Sequence, residues 1–406
     1  MAGESIDHLV SVIIFLSVIT LFIGLFNQTI QTGVTYQHNK AVASKCSDLL
    51  DNMLLSPGIP TGWGQTDEAP AGFGLQAVEF TQYQLSPFSL TRLFSSMGNP
   101  VTYNMTGLSY SNITMGFGQS LLVPFSETIN YSTASNLLGI NGSYGFSLTL
   151  TPIVNVTISQ TPLDPRSFSI NASGPGFPLA NAKVNYCFIT VTGRAGGTPP
   201  LYDVSYGSTT TDAAGIAPIV SFPSFNPAVM SYALIASAEV SGLVGVGYQQ
   251  HSLYQQSYVV PLVSSIANKT VILAHSWDVT GNGEQDAAIS YNATLVILAE
   301  GNALREMPFV NQTGSASGTV NSGHYDTLAL GTFDQSILII TYSNEVNSGI
   351  VVMPWGISAL AFPITFGGDP NNKDWVATDM RQVTVNGIAY QAKLSVWSLS
   401  GYQVNG

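Results

Sequence analysis

The sequence predicts a mainly β protein in which a long N-terminal transmembrane and stalk α-helix is followed by antiparallel β-sandwich-type domains. Three observations predict this. An apolar run from Leu9 to Phe26 is interrupted only by Ser11, Ser17, Thr20 and Gly24, all small enough for a membrane helix. No proline occurs before Pro57, so the helix meets no stop until Ser56-Pro57-Gly58. From Val101 onward the apolar period changes to alternation and β-branched runs, punctuated by Gly, Pro and Asn.

The helix comes first. At about 1.5 Å per residue the apolar run covers roughly 27 Å, close to the hydrocarbon thickness of a bilayer. Beyond it, Ile30, Val34, Val42, Cys46, Leu49, Leu50 and Met53 recur on one helical face and are the expected helix-packing residues. The segment MAGESIDH has no Lys or Arg and carries Glu4 and Asp7, which argues against a cleaved secretory signal. Lys40 and Lys45 follow the span, so positive-inside counting points weakly the other way. The acidity and acceptor motifs of the downstream chain instead place residues 1–8 inside and the remainder outside. The expected location is a single-pass cell membrane protein with its C-terminal bulk extracellular, or an extracellular filament.

Composition describes that bulk. Only 8% of the 406 residues are charged, against roughly 25% in ordinary soluble domains. A net charge of -12 with no run of Lys or Arg excludes nucleic acid as a partner. Asn-x-Ser/Thr glycosylation acceptors stand at Asn27, Asn104, Asn112, Asn130, Asn141, Asn155, Asn171, Asn268, Asn292 and Asn311. Cys46 lies on the helix face and Cys187 in an apolar strand, and packing accounts for both better than a disulfide does.

After the helix, the expected divisions are 1–56 for the helix, 57–164 for a β-rich region with a short helix at 87–97, 165–252 for a sandwich, and 253–406 for a C-terminal β domain that can complete the first. In 56–80, Trp63 and Phe73 are set among prolines and glycines, where buried rings pin a loop. Ser86 is placed to cap the short helix, with Pro87 at its first position and Phe88, Leu90, Leu93, Phe94 and Met97 as its packing side. FSETINYS reads as extended, and YGFSLTLTPIVNVTISQ as one strand bulged at Pro152. The apolar run 349–366 is broken by Pro354, Gly356 and Pro363, which favours buried strands or a buried loop over a second span. Asn386-Gly387 is a two-residue turn signal between RQVTV and IAYQAKLSVW.

Two resemblances follow from particular residues. The strand Val184-Tyr186-Phe188-Thr190 and the turn Thr211-Asp212-Ala213-Ala214-Gly215-Ile216-Ala217 resemble the immunoglobulin-like modules of invasin-like and carboxypeptidase-regulatory-like proteins, which implies a sandwich over 165–252. Leu54-Leu55-Ser56-Pro57-Gly58-Ile59-Pro60-Thr61-Gly62-Trp63, then Gly74-Leu75 and the helix ending near Met97, resemble archaeal type IV pilin-like surface proteins. Asn136-Leu137-Leu138-Gly139 and Tyr144-Gly145-Phe146 belong to the same likeness, which covers about residues 9–160 and the last strands, with the sandwich inserted between. It implies an external, glycosylated β head on a hydrophobic helix, either assembled through that helix or singly anchored. Met1-Ala2-Gly3-Glu4 departs from the family: it lacks the basic residue before a prepilin peptidase site, and His8 stands where the acid of the mature chain would fall.

Chemistry-bearing constellations are few. Asp278, Thr280, Asn282, Glu284 and Asp286 alternate around glycines in the layout of a calcium loop, yet Ile289 stands where the bidentate acid belongs. A Gly-rich turn is the simpler reading, and no cofactor other than calcium is suggested. His8, His38, His251, His275 and His324 have no zinc-ligand spacing, and neither GxSxG nor a phosphate loop occurs. His324 with Asp326 makes a bare dyad, and Asp212 is a turn residue.

The expected function is therefore non-enzymatic: a cell-surface structural or adhesive protein, with membrane lipid and copies of itself or other pilin-like proteins as partners of the helix. One alternative is a subunit of a type IV pilus-like filament assembled through residues 9–55. The other is a surface-anchored hydrolase or carbohydrate-binding protein, for which Asp326, Asp334 and Asp379 are the acids to watch.

Overall fold

Helix α1 (Ala2–Leu55) runs unbroken through Gly33 and rests its C-terminal part on a four-stranded antiparallel sheet. This seat sheet has the order Ile364–Gly367, Tyr144–Pro152, Ile388–Ser398, Ala377–Val385. Its strands come from two distant stretches of chain, so everything between Pro152 and Ile364 leaves from this sheet and returns to it. The structure is a computed structural model that describes residues 2–399 apart from 67–68, 80–81, 94–100, 116–118, 124–128, 163, 193–201, 219, 254–256, 300–302, 308–315, 332–335, 345–346 and 356–362.

Beyond the seat sheet lies a stack of four further sheets, to which residues 101–123 also contribute. A small sheet holds Asn155–Gln160, Ser167–Gly174 and Val220–Ser221, with Phe177–Pro178 beside them. Facing it is an inner sheet in the order Leu243–His251, Met230–Val240, Lys183–Thr192, Tyr202–Thr210. A central sheet follows, built on Ile289–Leu298 and Ser336–Ser343 with Leu304–Met307, Ala316–Val320 and Ser348–Trp355. The far sheet joins Val101–Tyr103, Leu108–Met115 and Gln119–Val123 to Val259–Ser265, Thr270–His275 and Tyr325–Ala329. Its two halves meet in a parallel contact, Leu262 opposite Leu122.

Burial on both faces explains why two of these strands are apolar without alternation. Along Met230–Val240, Leu234 and Ala236 pack toward the small sheet while Ala233 and Ile235 join the core shared with the central sheet. Every residue of Ser336–Ser343 is buried. A strand covered on both sides has no solvent face to mark with polar residues. Polar bonds tie the layers: Tyr291 donates to Asp326 of the far sheet at 2.9 Å, and on the opposite face Glu306 accepts from Thr294 at 3.0 Å and from the Tyr202 hydroxyl of the inner sheet.

Several local expectations meet the structure. Ser86 caps α2 (Pro87–Thr91) by accepting from Ser89 N at 3.2 Å, and Leu90 and Leu93 are fully buried. The helix is shorter than expected, ending at Thr91, and Phe94 and Met97 lie outside the described residues. Asp212 makes the turn read from its sequence, its Oδ1 accepting from Ala214 N and Ile216 N at 2.9 Å, with Gly215 at φ 76°. Val385 pairs with Ile388 around Asn386 and Gly387, both at positive φ. The apolar stretch after Gly349 supplies strands to two sheets, Ser348–Trp355 and Ile364–Gly367.

Three readings are corrected. The segment taken as extended around Asn130 holds a helix, α3 (Tyr131–Leu137), because the Asn130 side chain accepts from Thr133 N at 2.8 Å and Tyr131 stacks on Phe146 at 5.1 Å. The single bulged strand is two strands in different sheets, Tyr144–Pro152 and Asn155–Gln160. Alternation is continuous across Pro152, and only the partners differ: Val154 and Val156 belong to the sandwich core, Phe146, Leu148 and Leu150 to the core under α1. Finally, the Gly-rich turn read after Trp277 does not join two strands of one sheet. The segment opens with α4 (Ser276–Thr280), closed by Gly281 at φ 71°, and connects the far sheet to the central sheet.

Candidate functional site: the N-terminal helix and its seat

One helix occupies two environments. Over its apolar span no residue is buried by the rest of the chain, and Leu16, Leu21, Phe22 and Phe26 are each more than half exposed. Its hydroxyls are satisfied internally: Ser11, Ser17 and Thr20 donate to the carbonyls of Asp7, Ile13 and Leu16 at 2.8 Å. Such back-bonding leaves a helix with no unpaired donor to carry into hydrocarbon.

The C-terminal part is seated. Val42, Cys46, Leu49, Leu50 and Met53 of the predicted packing face are buried at 2% exposure or less, and Leu54, not foreseen, joins them. Ile30 remains 47% exposed and Val34 is half-buried, so the same face continues past the seat only partly covered by the described residues. Full burial of aliphatic side chains at about 1.5–3 kcal/mol each gives the seat on the order of 10 kcal/mol of gross apolar stabilisation. Cys46 Sγ lies 3.4 Å from Leu394 O, and burial pushes its thiol up to about 11. Cys187 is buried and free as well, so no disulfide joins helix and sheet.

A charged clamp flanks the seat. Arg381 donates from Nε to Asp51 Oδ1 at 3.2 Å, from Nη2 to Ser47 Oγ at 3.1 Å, and from Nη1 to Asp379 Oδ1 at 2.7 Å. Partial burial opposes ionisation of Asp379, but hydrogen bonds from Ser47 and Arg381 outweigh it and hold the carboxyl below the usual carboxylate range. The hydrogen bond to Asp379 is the main influence raising Arg381 further above its ordinary value.

The Pro-Gly-x-Pro-x-x-Trp and Gly-Leu elements close the end of α1. Leu75 N donates to Met53 O at 2.8 Å and Gln76 N to Ser56 O at 2.9 Å, pairing carbonyls that the helix terminus leaves open. Trp63 Nε1 donates to Gly74 O at 2.8 Å, and a Cβ on Gly74 would stand 2.2 Å from Ser56 O, so only glycine admits this approach. Buried Arg92 donates to Trp63 O at 2.7 Å and lies 5.2 Å from the centroid of the Trp63 ring. Neither arginine was singled out from sequence, although a lone Arg beside apolar Leu90 and Leu93 is the signal that marks Arg92.

The other candidates are dispersed. Asp278 accepts from Ser322 Oγ at 3.1 Å and Gly323 N at 2.7 Å, which ties down the turn before Tyr325–Ala329; Asn282, Glu284 and Asp286 are exposed. Because residues 276–280 are helical, the alternation with Thr280 does not aim these oxygens at one point. Among the described residues no three His, Cys, Asp or Glu gather as a metal-holding group. Asp326 is bonded to Tyr291 and Asp379 to Arg381, while Asp334 lies outside the described residues. Of the acceptor asparagines, Asn27, Asn104, Asn130, Asn141 and Asn268 are exposed, and Asn155 and Asn171 are half-buried on the outward face of the small sheet. Asn292 is 9% exposed on the central-sheet face turned toward the inner sheet, where the folded chain gives a glycosylating enzyme no access. Asn311 and the side chain of Asn112 lie outside the described residues.

No family model matches the chain, and no curated protein matches it. Among solved structures, a two-domain fibronectin type III segment of chicken tenascin aligns over 51% of this chain and 99% of its own, at 8% identity and a TM-score of 0.16. The FN1-FN3 domains of chicken CNTN1 align over 50% of this chain and 67% of theirs, at 12% identity and a TM-score of 0.15. Red sea bream transglutaminase aligns over 61% of this chain and 37% of its own, at 7% identity and a TM-score of 0.15.

Proposed function

We propose that this is a non-enzymatic cell-surface structural or adhesive protein, held by α1 and presenting its stack of β-sheets outside the membrane. One observation carries the reading: a single continuous helix whose apolar part has no partner among the described residues of its own chain while its other part is locked to the body. An apolar helix so exposed leaves water only in lipid or against other helices. Exposed Asn104, Asn130, Asn141 and Asn268 are then the acceptors offered to an external glycosylating enzyme. Native membranes washed with alkaline carbonate and then dissolved in detergent test the anchor. Retention through the wash and release by detergent are expected; release by the wash overturns the reading.

A second reading, a subunit of a type IV pilus-like filament, is favoured by the length of α1. From Phe26 to Val42 the helix projects roughly 24 Å with Ile30 and Tyr36 exposed, more than an anchor alone requires. The archaeal type IV pilin-like motifs at Leu54–Trp63 and Gly74-Leu75 act here as the lock on that helix. Material sheared from source cells and imaged by cryo-microscopy separates the two: filaments built on stacked α1 helices support the second reading, and an unsheared membrane protein supports the first.

A further inference from the structure

A cavity of about 490 Å³ opens where three parts of the body meet: the loop after α1, the turn 266–269 of the far sheet, and the Asn386 turn of the seat sheet. Its polar lining is Gln65, Glu79, Gln84, Ser86, Lys269 and Asn386. Phe88 and Trp355 supply an aromatic wall, edge to face at 5.7 Å.

Backbone bonds fix each wall. Ala77 N donates to Gln84 O and Leu85 N to Thr384 O, both at 2.8 Å, which fastens the loop to the seat sheet. Lys269 N donates to Ile266 O at 3.1 Å and Leu330 N to Lys269 O at 2.8 Å, which holds the turn against the strand beside it. The cavity is therefore preformed, and its size falls within the roughly 300–1,000 Å³ of small-molecule sites.

The lining chemistry selects the ligand. Gln65, Gln84 and Asn386 each offer both donor and acceptor atoms, as does the hydroxyl of Ser86. Among the described residues the lining holds one carboxylate and one ammonium, which cancel, so neither a phosphate nor a polyamine is favoured. Groups that donate and accept, set beside an aromatic wall and without net charge, match a ring carrying many hydroxyls.

We infer that this cavity binds a neutral saccharide of one or two rings. The inference goes beyond the surface reading and does not depend on how α1 is anchored. Two sources share this chemistry: a saccharide from outside, and a glycan on exposed Asn268, whose neighbours Ala267 and Lys269 line the cavity.

Saturation-transfer NMR and calorimetry on the detergent-solubilised full chain, using glucose, mannose, galactose, N-acetylglucosamine and their disaccharides, test it. The expected result is binding of at least one sugar, weakened at least tenfold by Gln84→Leu, which removes the amide but keeps the backbone bonds. Ala267→Trp, an exposed lip position, blocks the opening and gives the same loss with an unchanged melting temperature. Binding by the protein as purified and by Asn268→Gln alike assigns an external sugar; binding gained only in Asn268→Gln assigns the attached glycan as occupant. No sugar bound by either protein, or binding indifferent to both blocking variants, overturns the proposal.

Discussion

Arg381 acts on α1 from the sheet, and its partners set a pH dependence. Asp379 has its carboxyl held low in the folded protein, so its contribution is fully present above the ordinary value of 3.8 and is lost as pH falls through the depressed folded value. Asp51 is 40% exposed at its side chain, so water screens the pair and the clamp contributes no more than about 1 kcal/mol. Arg381→Met and Asp379→Asn are each expected to lower the melting temperature slightly at pH 7 and to converge on the unaltered protein only as pH falls through the depressed folded value of Asp379. A difference undiminished in acid would assign the effect to packing instead. Arg92 is a different case, since it is 2% exposed and bonded to the carbonyls of Trp63 and Thr66. Arg92→Met fills similar volume but removes the charged hydrogen bonds to those carbonyls, and a loss of about 1–3 kcal/mol in denaturant unfolding is expected. A neutral outcome would mean that the lock around Trp63 holds without its cation.

The element that organises the molecule is α1, and its two parts respond to opposite kinds of change. Leu50 is fully buried in the seat, so Leu50→Ala is expected to cost about 2–5 kcal/mol in unfolding free energy while leaving membrane partition intact. Leu16 is exposed in the free part, so Leu16→Arg should leave folding untouched and move the protein toward the soluble fraction, a charge at a span centre costing about 2.5–3.5 kcal/mol. If the first variant detached the helix from membranes or the second unfolded the body, the division of labour along α1 would be wrong. Much of this element was legible in the sequence, because a run of apolar residues without proline carries its own length and a one-sided stripe carries its own face. What the stripe does not carry is its partner: Ile30 and Val42 read alike, yet only Val42 reaches the seat sheet. The α3 turn was hidden for a related reason, since Asn130 can cap or extend, and a stacked Tyr131 and Phe146 decide between them only after folding. Arg381 and the sugar-cavity residues were illegible because distant stretches of chain assemble them.

At the scale of the whole molecule, the decisive feature is that the middle strands of the inner and central sheets, Met230–Val240 and Ser336–Ser343, are covered on both faces. Tandem sandwiches joined by linkers would each close their own core and meet through modest polar interfaces, so they would melt independently. Here Cys187, Ile189, Ala233 and Ile235 of the inner sheet share one core with Ile337 and Ile339 of the central sheet, and that core continues to the residues under α1. The Glu306 carboxylate, reached by Tyr202 and Thr294, closes the same layer with hydrogen bonds. Removing the sandwich of residues 155–251 would expose an apolar sheet face on both products, a cost no surface linker imposes. The body is therefore expected to unfold in a single calorimetric transition, and limited proteolysis is expected to release no stable fragment corresponding to 155–251. Ile235→Asp, which places a carboxylate between the two sheets, should lower the melting temperature of the entire body rather than of one part. Two separated transitions, or a protease-resistant fragment of the inserted sandwich, would show instead that the layers are independent domains in contact, and that the stack of sheets carried by α1 is jointed.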